Sequence, residues 1–143
     1  MKTFATHPAS LMLALLLSLL AGCGGGSDPL PAGYVSQGGL TWMPVSGTKY
    51  AYADATALCA GTINGQTGWR LPTKDELVSL YNSGAMNGQG WTLGYAWSST
   101  PVEPGIPGGS GSHYGVGLFN GLVGIVAPYT GAATAVSDVS CVR

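Results

Sequence analysis

The chain has 143 residues, enough for one small domain, and only 8% of them are charged. Its formal net charge is −1, and it has no basic cluster of the kind that neutralises a phosphate backbone. This charge pattern disfavours nucleic acid and sulfated polysaccharide as partners. Glycine is abundant, with 24 residues, and aromatic and hydroxyl side chains take the place of charged ones. The composition is typical of a rigid, extracellular, β-rich domain.

The first 22 residues have the pattern of an export signal. Lys2 precedes an apolar run at 11–20, which is too short to cross a bilayer as a helix, since that takes about 20 residues. The run ends in LAGC, which resembles the bacterial lipobox, where a signal peptidase cuts before a cysteine that is then acylated. We therefore expect residues 1–22 to be a lipoprotein signal peptide and Cys23 to be lipidated. The alternative is an ordinary secretory signal followed by a chance cysteine.

Residues 23–38 predict a tether, because they are rich in glycine, serine and proline. Glycine, and not aspartate, follows Cys23, which by the usual lipoprotein sorting pattern predicts a lipid anchor in the bacterial outer membrane. The pattern leaves open whether the protein faces the surface or the periplasm. Without Lys2, four basic and six acidic residues remain, a net charge of −2. The globular domain is expected over residues 39–143.

The cysteine count fits an exported protein. With Cys23 assigned to lipid, Cys59 and Cys141 remain as an even pair, and in an oxidising compartment such a pair forms a disulfide by default. A metal site or a catalytic thiol would need companions, and His113 is the only histidine after the signal. We therefore predict a Cys59–Cys141 disulfide, with no metal and no cofactor.

The first part of the domain predicts a strand and then a helix. Residues 40–45 predict a short strand, in which proline favours an edge or end position. Residues 50–60 carry apolar side chains at helical spacing and end before Gly61. Cys59 is therefore expected to point inward from the end of this helix.

The second helix begins in the stretch GWRLPTKDEL. Thr73 and Glu76 have the spacing of a capping box, in which each side chain accepts a hydrogen bond from the backbone of the other. Gly84 ends the helix. Arg70 is expected to pair with Asp75 or Glu76, because an arginine fork fits a carboxylate.

The long stretch at 84–112 is rich in glycine and proline, and only 95–99 predicts a strand within it. Such a stretch is usually either a functional loop or disordered. Trp91, Tyr95 and Trp97 favour order, since disordered segments are poor in aromatic residues.

A hairpin and a final strand complete the domain. Residues 113–119 and 122–127 flank Asn120-Gly121, the preferred pair for a type I′ turn. Residues 136–142 predict the last strand, so the predicted disulfide would join the first helix to it.

These elements together resemble a C-type-lectin-like domain, an α+β fold with two helices on a small, mostly antiparallel sheet and a long irregular loop region. The motifs GWRLPT, WSST and the terminal CVR, in this order, resemble the bacterial Lcl C-terminal domain family more specifically. That family is named after the tip domain of a collagen-like adhesin, and similar modules end some intimin/invasin-like proteins. The resemblance implies a surface module that binds a glycan or a protein, without catalysis.

Two alternatives remain open. The string RLPT also resembles the formylglycine-generating, sulfatase-modifying enzymes, which rely on reactive cysteines in the active site. Since the predicted disulfide uses both cysteines of the domain, that chemistry does not carry over and no catalytic residue is expected. The other alternative is a structural envelope lipoprotein without an external ligand.

Aromatic side chains in the loop region are the candidate ligand-binding residues. Trp91 lies among glycines and is predicted to expose its ring, while Trp97 is interpreted as core. Tyr95 and Tyr114 can offer flat faces to a sugar ring or a protein partner. His113 completes the set, although a lone histidine is a weak indication of catalysis. Calcium is not expected, because the carboxylates are scattered along the chain.

Overall fold

The computed structural model describes residues 29–107, 109, 111–127 and 135–143, so the predicted signal peptide and Cys23 lie outside the described residues. The described part forms two helices and seven strands in three small antiparallel sheets, which confirms the α+β class. No helix of these ranges is long and apolar enough to cross a membrane. In chain order the elements are β1 (Val35–Gln37), β2 (Leu40–Trp42), β3 (Tyr50–Ala51), α1 (Tyr52–Ala60), α2 (Lys74–Ser83), β4 (Tyr95–Pro101), β5 (His113–Gly117), β6 (Val123–Val126) and β7 (Val136–Ser137).

Helix α1 begins two residues later than predicted. Tyr50 and Ala51 are extended and pair with β7, so they belong to a strand and not to the first turn of the helix. Ala51 makes no side-chain cap. Cys59 and Ala55 are fully buried, as the predicted apolar stripe requires.

Helix α2 begins as predicted. The Thr73 hydroxyl accepts from the Glu76 amide at 3.2 Å, and the Glu76 carboxylate accepts from the Thr73 amide at 2.8 Å. Leu77 and Leu80 are fully buried on its inner face. The helix ends at Gly84, whose φ of 66° is the left-handed conformation that glycine adopts without strain.

The largest sheet has the strand order β4-β5-β6. Its hairpin turn is wider than predicted, because the Gly117 amide donates to the Leu122 carbonyl at 2.8 Å and residues 118–121 form the loop. The predicted two-residue type I′ turn at Asn120-Gly121 is therefore wrong. Leu118 is almost fully buried, and its amide donates to the Gly94 carbonyl and not to β6. The β5-β6 pairing therefore ends at Gly117, before the turn.

The C-terminal segment is a strand only at β7, which corrects the prediction of a strand over 136–142. Beyond β7 the backbone forms single bridges with several partners in succession. The Asp138 carbonyl accepts from Trp97, and Val142 exchanges two hydrogen bonds with Arg70 at 2.8 and 2.9 Å. The segment thus lies between several elements and forms no continuous ladder with any one of them, because its backbone N–H and C=O groups bond to different neighbours.

The core has two apolar clusters, and the C-terminal segment contributes to both. Val142 belongs to the first cluster with α2 and the β4-β5 sheet, while Val139 and Cys141 belong to the second with α1. Trp97 is 2% exposed and lies in the second cluster, as interpreted. Cys59 and Cys141 form the predicted disulfide, with a Cα–Cα distance of 5.5 Å.

Candidate binding groove

A groove of about 240 Å³ lies between α1 and the extended segment that precedes α2. Tyr52, Thr56 and Ala60 are spaced four residues apart and line one wall from a single face of α1. Residues 69–71 form the opposite wall, and Ser99 of β4 completes the lining. The groove therefore depends on how α1 is placed against a segment with no regular secondary structure of its own.

Arg70 defines the charge of the groove. Its Nη1 and Nη2 atoms donate to the two Glu76 carboxylate oxygens at 2.8 and 2.7 Å, which is one of the two pairings expected for it. The hydrogen bond from Arg70 lowers the pKa of Glu76 to about 2, and the same bond raises the pKa of Arg70. Both groups are thus ionised at neutral pH, and this wall offers a paired charge and not a free cation.

Two hydroxyls bring hydrogen-bonding capacity to the groove. Thr56 Oγ1 donates to the Tyr52 carbonyl at 2.9 Å, and Ser99 Oγ donates to the Pro72 carbonyl at 3.2 Å. Each hydroxyl keeps lone pairs that can accept from a ligand. With the Tyr52 ring beside them, these groups suit a small uncharged ligand that has both an apolar face and hydroxyl donors.

His113 supports the groove from behind. Its ring stacks on Tyr52, with the centroids 3.5 Å apart and the planes 12° from parallel, and the Trp97 ring meets Tyr52 edge-on at 5.4 Å. Burial lowers the pKa of His113, which favours the neutral imidazole at pH 7. His113 thus affects the groove indirectly, because its ring holds the Tyr52 ring, which lines the groove, in place.

Sequence reasoning did not find Tyr52. The residue lies in the first turn of α1, outside any motif, and its importance comes from a contact with a residue 61 positions away. The available signal was its spacing, because Tyr52 lies three residues before Ala55 and seven before Cys59, at the edge of the same apolar stripe, where it packs partly buried against the second cluster.

Tyr114 lies on the other face of the sheet. Neighbouring residues of a strand point in opposite directions, so Tyr114 contacts α2, where Lys74 Nζ lies 5.0 Å from its ring centroid, while His113 contacts α1. The two adjacent candidates therefore do not share one site.

Trp91 is not the exposed ring predicted from its glycine-rich surroundings. It is half-buried against the first apolar cluster, and its indole N–H donates to the Gly33 carbonyl at 2.6 Å. This hydrogen bond joins the loop at 84–94 to the segment before β1, where the chain enters the domain.

Tyr95 is 37% exposed and lies next to Phe119, with their ring centroids 5.6 Å apart. The four candidates thus do not share one site: His113 lies at the groove, Tyr114 on β5 against α2, Trp91 in the loop before β4, and Tyr95 at the start of β4 beside Phe119. In the described ranges, no three His, Cys, Asp or Glu side chains cluster in a way that could hold a metal ion.

Comparison of the chain with protein-family models gives no match, and comparison with curated proteins gives none either.

Proposed function

We propose that this chain is a lipid-anchored protein of the bacterial cell envelope, attached through Cys23, whose domain binds a glycan or protein ligand without catalysis. The lipobox pattern supports the anchor. The motifs GWRLPT, WSST and CVR, together with the disulfide between a helix and the C-terminal segment, support a C-type-lectin-like module of the Lcl C-terminal type.

The observation that carries the binding role is the groove. Its lining combines an aromatic ring at Tyr52, hydroxyls at Thr56 and Ser99, and an arginine whose charge is matched by a carboxylate. A sugar ring presents an apolar face and several hydroxyls, which complements these groups. An ionic ligand would have to compete with Glu76 for the Arg70 fork.

The disulfide also bears on the enzyme alternative. The sulfatase-modifying enzymes need reactive thiols, whereas Cys59 and Cys141 are joined to each other and fully buried. Oxidation and burial remove the thiolate that such chemistry requires. This pairing favours a binding module over that class of enzyme.

A ligand screen with two matched variants tests the proposal. Thr56→Gln places a longer side chain into the groove, while Ala57→Gln adds the same side chain at an adjacent exposed position that does not line it. Glutamine is a good helix former, so both variants should fold. We expect Thr56→Gln to weaken binding at least tenfold on glycan and surface-protein arrays, and Ala57→Gln to leave it unchanged.

Two outcomes would count against the proposal. Absence of binding by the wild-type chain to any arrayed glycan or protein would favour a structural lipoprotein. Equal binding by the wild type and Thr56→Gln would place the ligand elsewhere on the domain.

A further inference from the structure

The β5-β6 hairpin carries a group of large apolar side chains that are exposed to solvent. We call this group the apolar tip. Phe119 and Leu122, in and beside the turn, are 53% and 59% exposed. Its members are Tyr95, Phe119, Leu122, Val123 and Ile125.

The members of the apolar tip lie around the hairpin turn, on both faces of the sheet. Tyr95 and Phe119 meet edge to plane, and the Tyr95 ring lies over Gly124, where an added Cβ would be 3.7 Å from it. Val123 and Ile125 alternate with Gly124 along β6, so they lie on the opposite face of the hairpin from Tyr95, and both faces of this strand are partly exposed. Exposed apolar patches of this kind mark contacts with proteins or membranes.

The β5-β6 hairpin that carries most of the apolar tip contains no charged residue, whereas the Lys49–Asp138 ion pair lies beyond it, where Asp138 contacts Gly94 and its amide donates to the Tyr95 carbonyl. The sequence has no Asp, Glu, Lys or Arg between Glu76 and Glu103, or between Glu103 and Asp138. Burying an ionised side chain in a lipid environment is costly, and the turn and β6, which carry Phe119, Leu122, Val123 and Ile125, bring no such charge. A protein interface of the usual kind would instead have a polar rim around its apolar centre.

The anchor holds the domain close to the membrane. Gly33 lies ten positions after Cys23, so even a fully extended chain between them reaches only about 36 Å. Gly33 is held by Trp91, and the carbonyl of Gly94, three residues further on, accepts from the Leu118 amide at the start of the turn. The chain therefore enters the domain beside the loop that leads directly to the apolar tip.

We propose that the apolar tip inserts into the interface of the membrane that carries the lipid anchor. This inference rests on the lipidation of Cys23 in the proposed function. A short tether confines the domain to a small volume and gives contacts with the bilayer a high effective concentration. Tyrosine favours the boundary between lipid and water, which suits Tyr95 at the margin of the group.

Insertion of the apolar tip would orient the groove away from the bilayer. β5 runs from His113, behind the groove, to Gly117 at the turn, and four residues of strand span about 13 Å. The end of the hairpin in the membrane and the end at the groove are therefore opposite ends of the same element. A ligand in solution would meet the groove and not the apolar tip.

Tryptophan quenching on vesicles tests the inference. In the mature chain Cys23 is the only thiol outside the disulfide, so it can be coupled to a maleimide phospholipid in phosphatidylcholine vesicles with brominated or ordinary acyl chains. Phe119→Trp places a reporter at the turn. Ile106→Trp is the matched control, because Ile106 is also exposed but follows the opposite end of β4 from Tyr95.

We expect brominated lipid to reduce the emission added by Phe119→Trp at least threefold, and to leave that added by Ile106→Trp unchanged. Equal quenching of both reporters, or of neither, would overturn the inference; so would a tip that binds a soluble protein partner and stays unquenched. Circular dichroism confirms that each variant is folded. If Phe119→Trp is quenched but the array screen finds no ligand, the proposed binding function is wrong and the membrane inference stands. If the screen finds a ligand but Phe119→Trp is not quenched, only the membrane inference is wrong.

Discussion

Arg70 and Glu76 show how a few charges can look like a functional motif. In a chain with 8% charged residues, the stretch GWRLPTKDEL is conspicuous. Its carboxylate at Glu76 caps the first turn of α2 and accepts two hydrogen bonds from Arg70. The same pair then forms part of the groove wall, so the motif has a structural role that also determines the charge of the site.

Glu76→Gln isolates the charge of this pair. The folded-state pKa of about 2 lies below the ordinary value of 4.5, so the ionised carboxylate stabilises the fold above pH 4.5 and this contribution is lost as the pH falls towards 2. Glutamine can still accept from the Thr73 amide. We expect the variant to lose about 1 kcal/mol of unfolding free energy at pH 7 in urea titrations, because a bidentate pair exceeds a simple surface salt bridge.

The difference between wild type and Glu76→Gln should shrink to near zero at pH 2. Asp75→Asn is the control, since this side chain is 90% exposed in the same turn, and we expect a change within about 0.5 kcal/mol. A constant difference from pH 7 to pH 2 would show that the charge of Glu76 is not what stabilises the turn.

At the scale of elements, α1 and the C-terminal segment depend on each other. Helix α1 has nine residues, no side-chain N-cap, and only Ala55 and Cys59 buried. Short helices of this kind are not stable alone and need tertiary contacts. The disulfide from Cys59 to Cys141 is the strongest of these tertiary contacts, because it is covalent.

Replacing both cysteines by alanine, at positions 59 and 141, tests this dependence. The bridge spans 82 positions of sequence, for which the chain-entropy account predicts a loss of about 4 kcal/mol in unfolding free energy. Guanidinium titration of the double variant and of the reduced wild type should show matching losses. An exported wild-type protein in which alkylation and intact-mass analysis find free thiols at these positions would contradict the assignment and revive the enzyme alternative.

At the scale of the molecule, the C-terminal segment contributes residues to both apolar clusters. Residues 138–143 pass from the second cluster to the first, and their backbone hydrogen bonds reach β4 through Asp138, the segment before α2 through Val142 and β2 through Arg143. Neither cluster can lose this segment without exposing residues of the other. The domain should therefore unfold as a single unit.

Two indole N–H groups report on the clusters separately. Trp42 donates to the Gln37 carbonyl in the first cluster, and Trp97 donates to the Tyr50 carbonyl in the second. We expect their NMR signals to disappear at the same urea concentration. Leu80→Ala removes a fully buried side chain of the first cluster and should lower the unfolding free energy by about 2–5 kcal/mol. The urea midpoints of both signals should then fall by the same amount. A shift confined to Trp42 would show two independent units.

Local patterns determined much of this protein. The capping box at Thr73 and the end of α2 at Gly84 follow from interactions within a few residues, so the sequence alone predicted them. The disulfide followed from a count, because only two cysteines were left to pair. The aromatic pattern also indicated that the loop at 84–94 is ordered, which agrees with the packing of Trp91.

Only the tertiary structure decided the features that depend on distant partners. Asn120-Gly121 favoured a tight turn, but the burial of Leu118 outweighed that preference and widened the loop. The C-terminal residues have strand-like composition, yet their hydrogen bonds go to several neighbours, which no local pattern encodes. The groove arises from the approach of α1 to residues 69–71, and the role of Tyr52 appears only once His113 stacks on it. Short-range hydrogen bonds and covalent pairing can be read from sequence, whereas burial and ring contacts depend on where the whole chain places them.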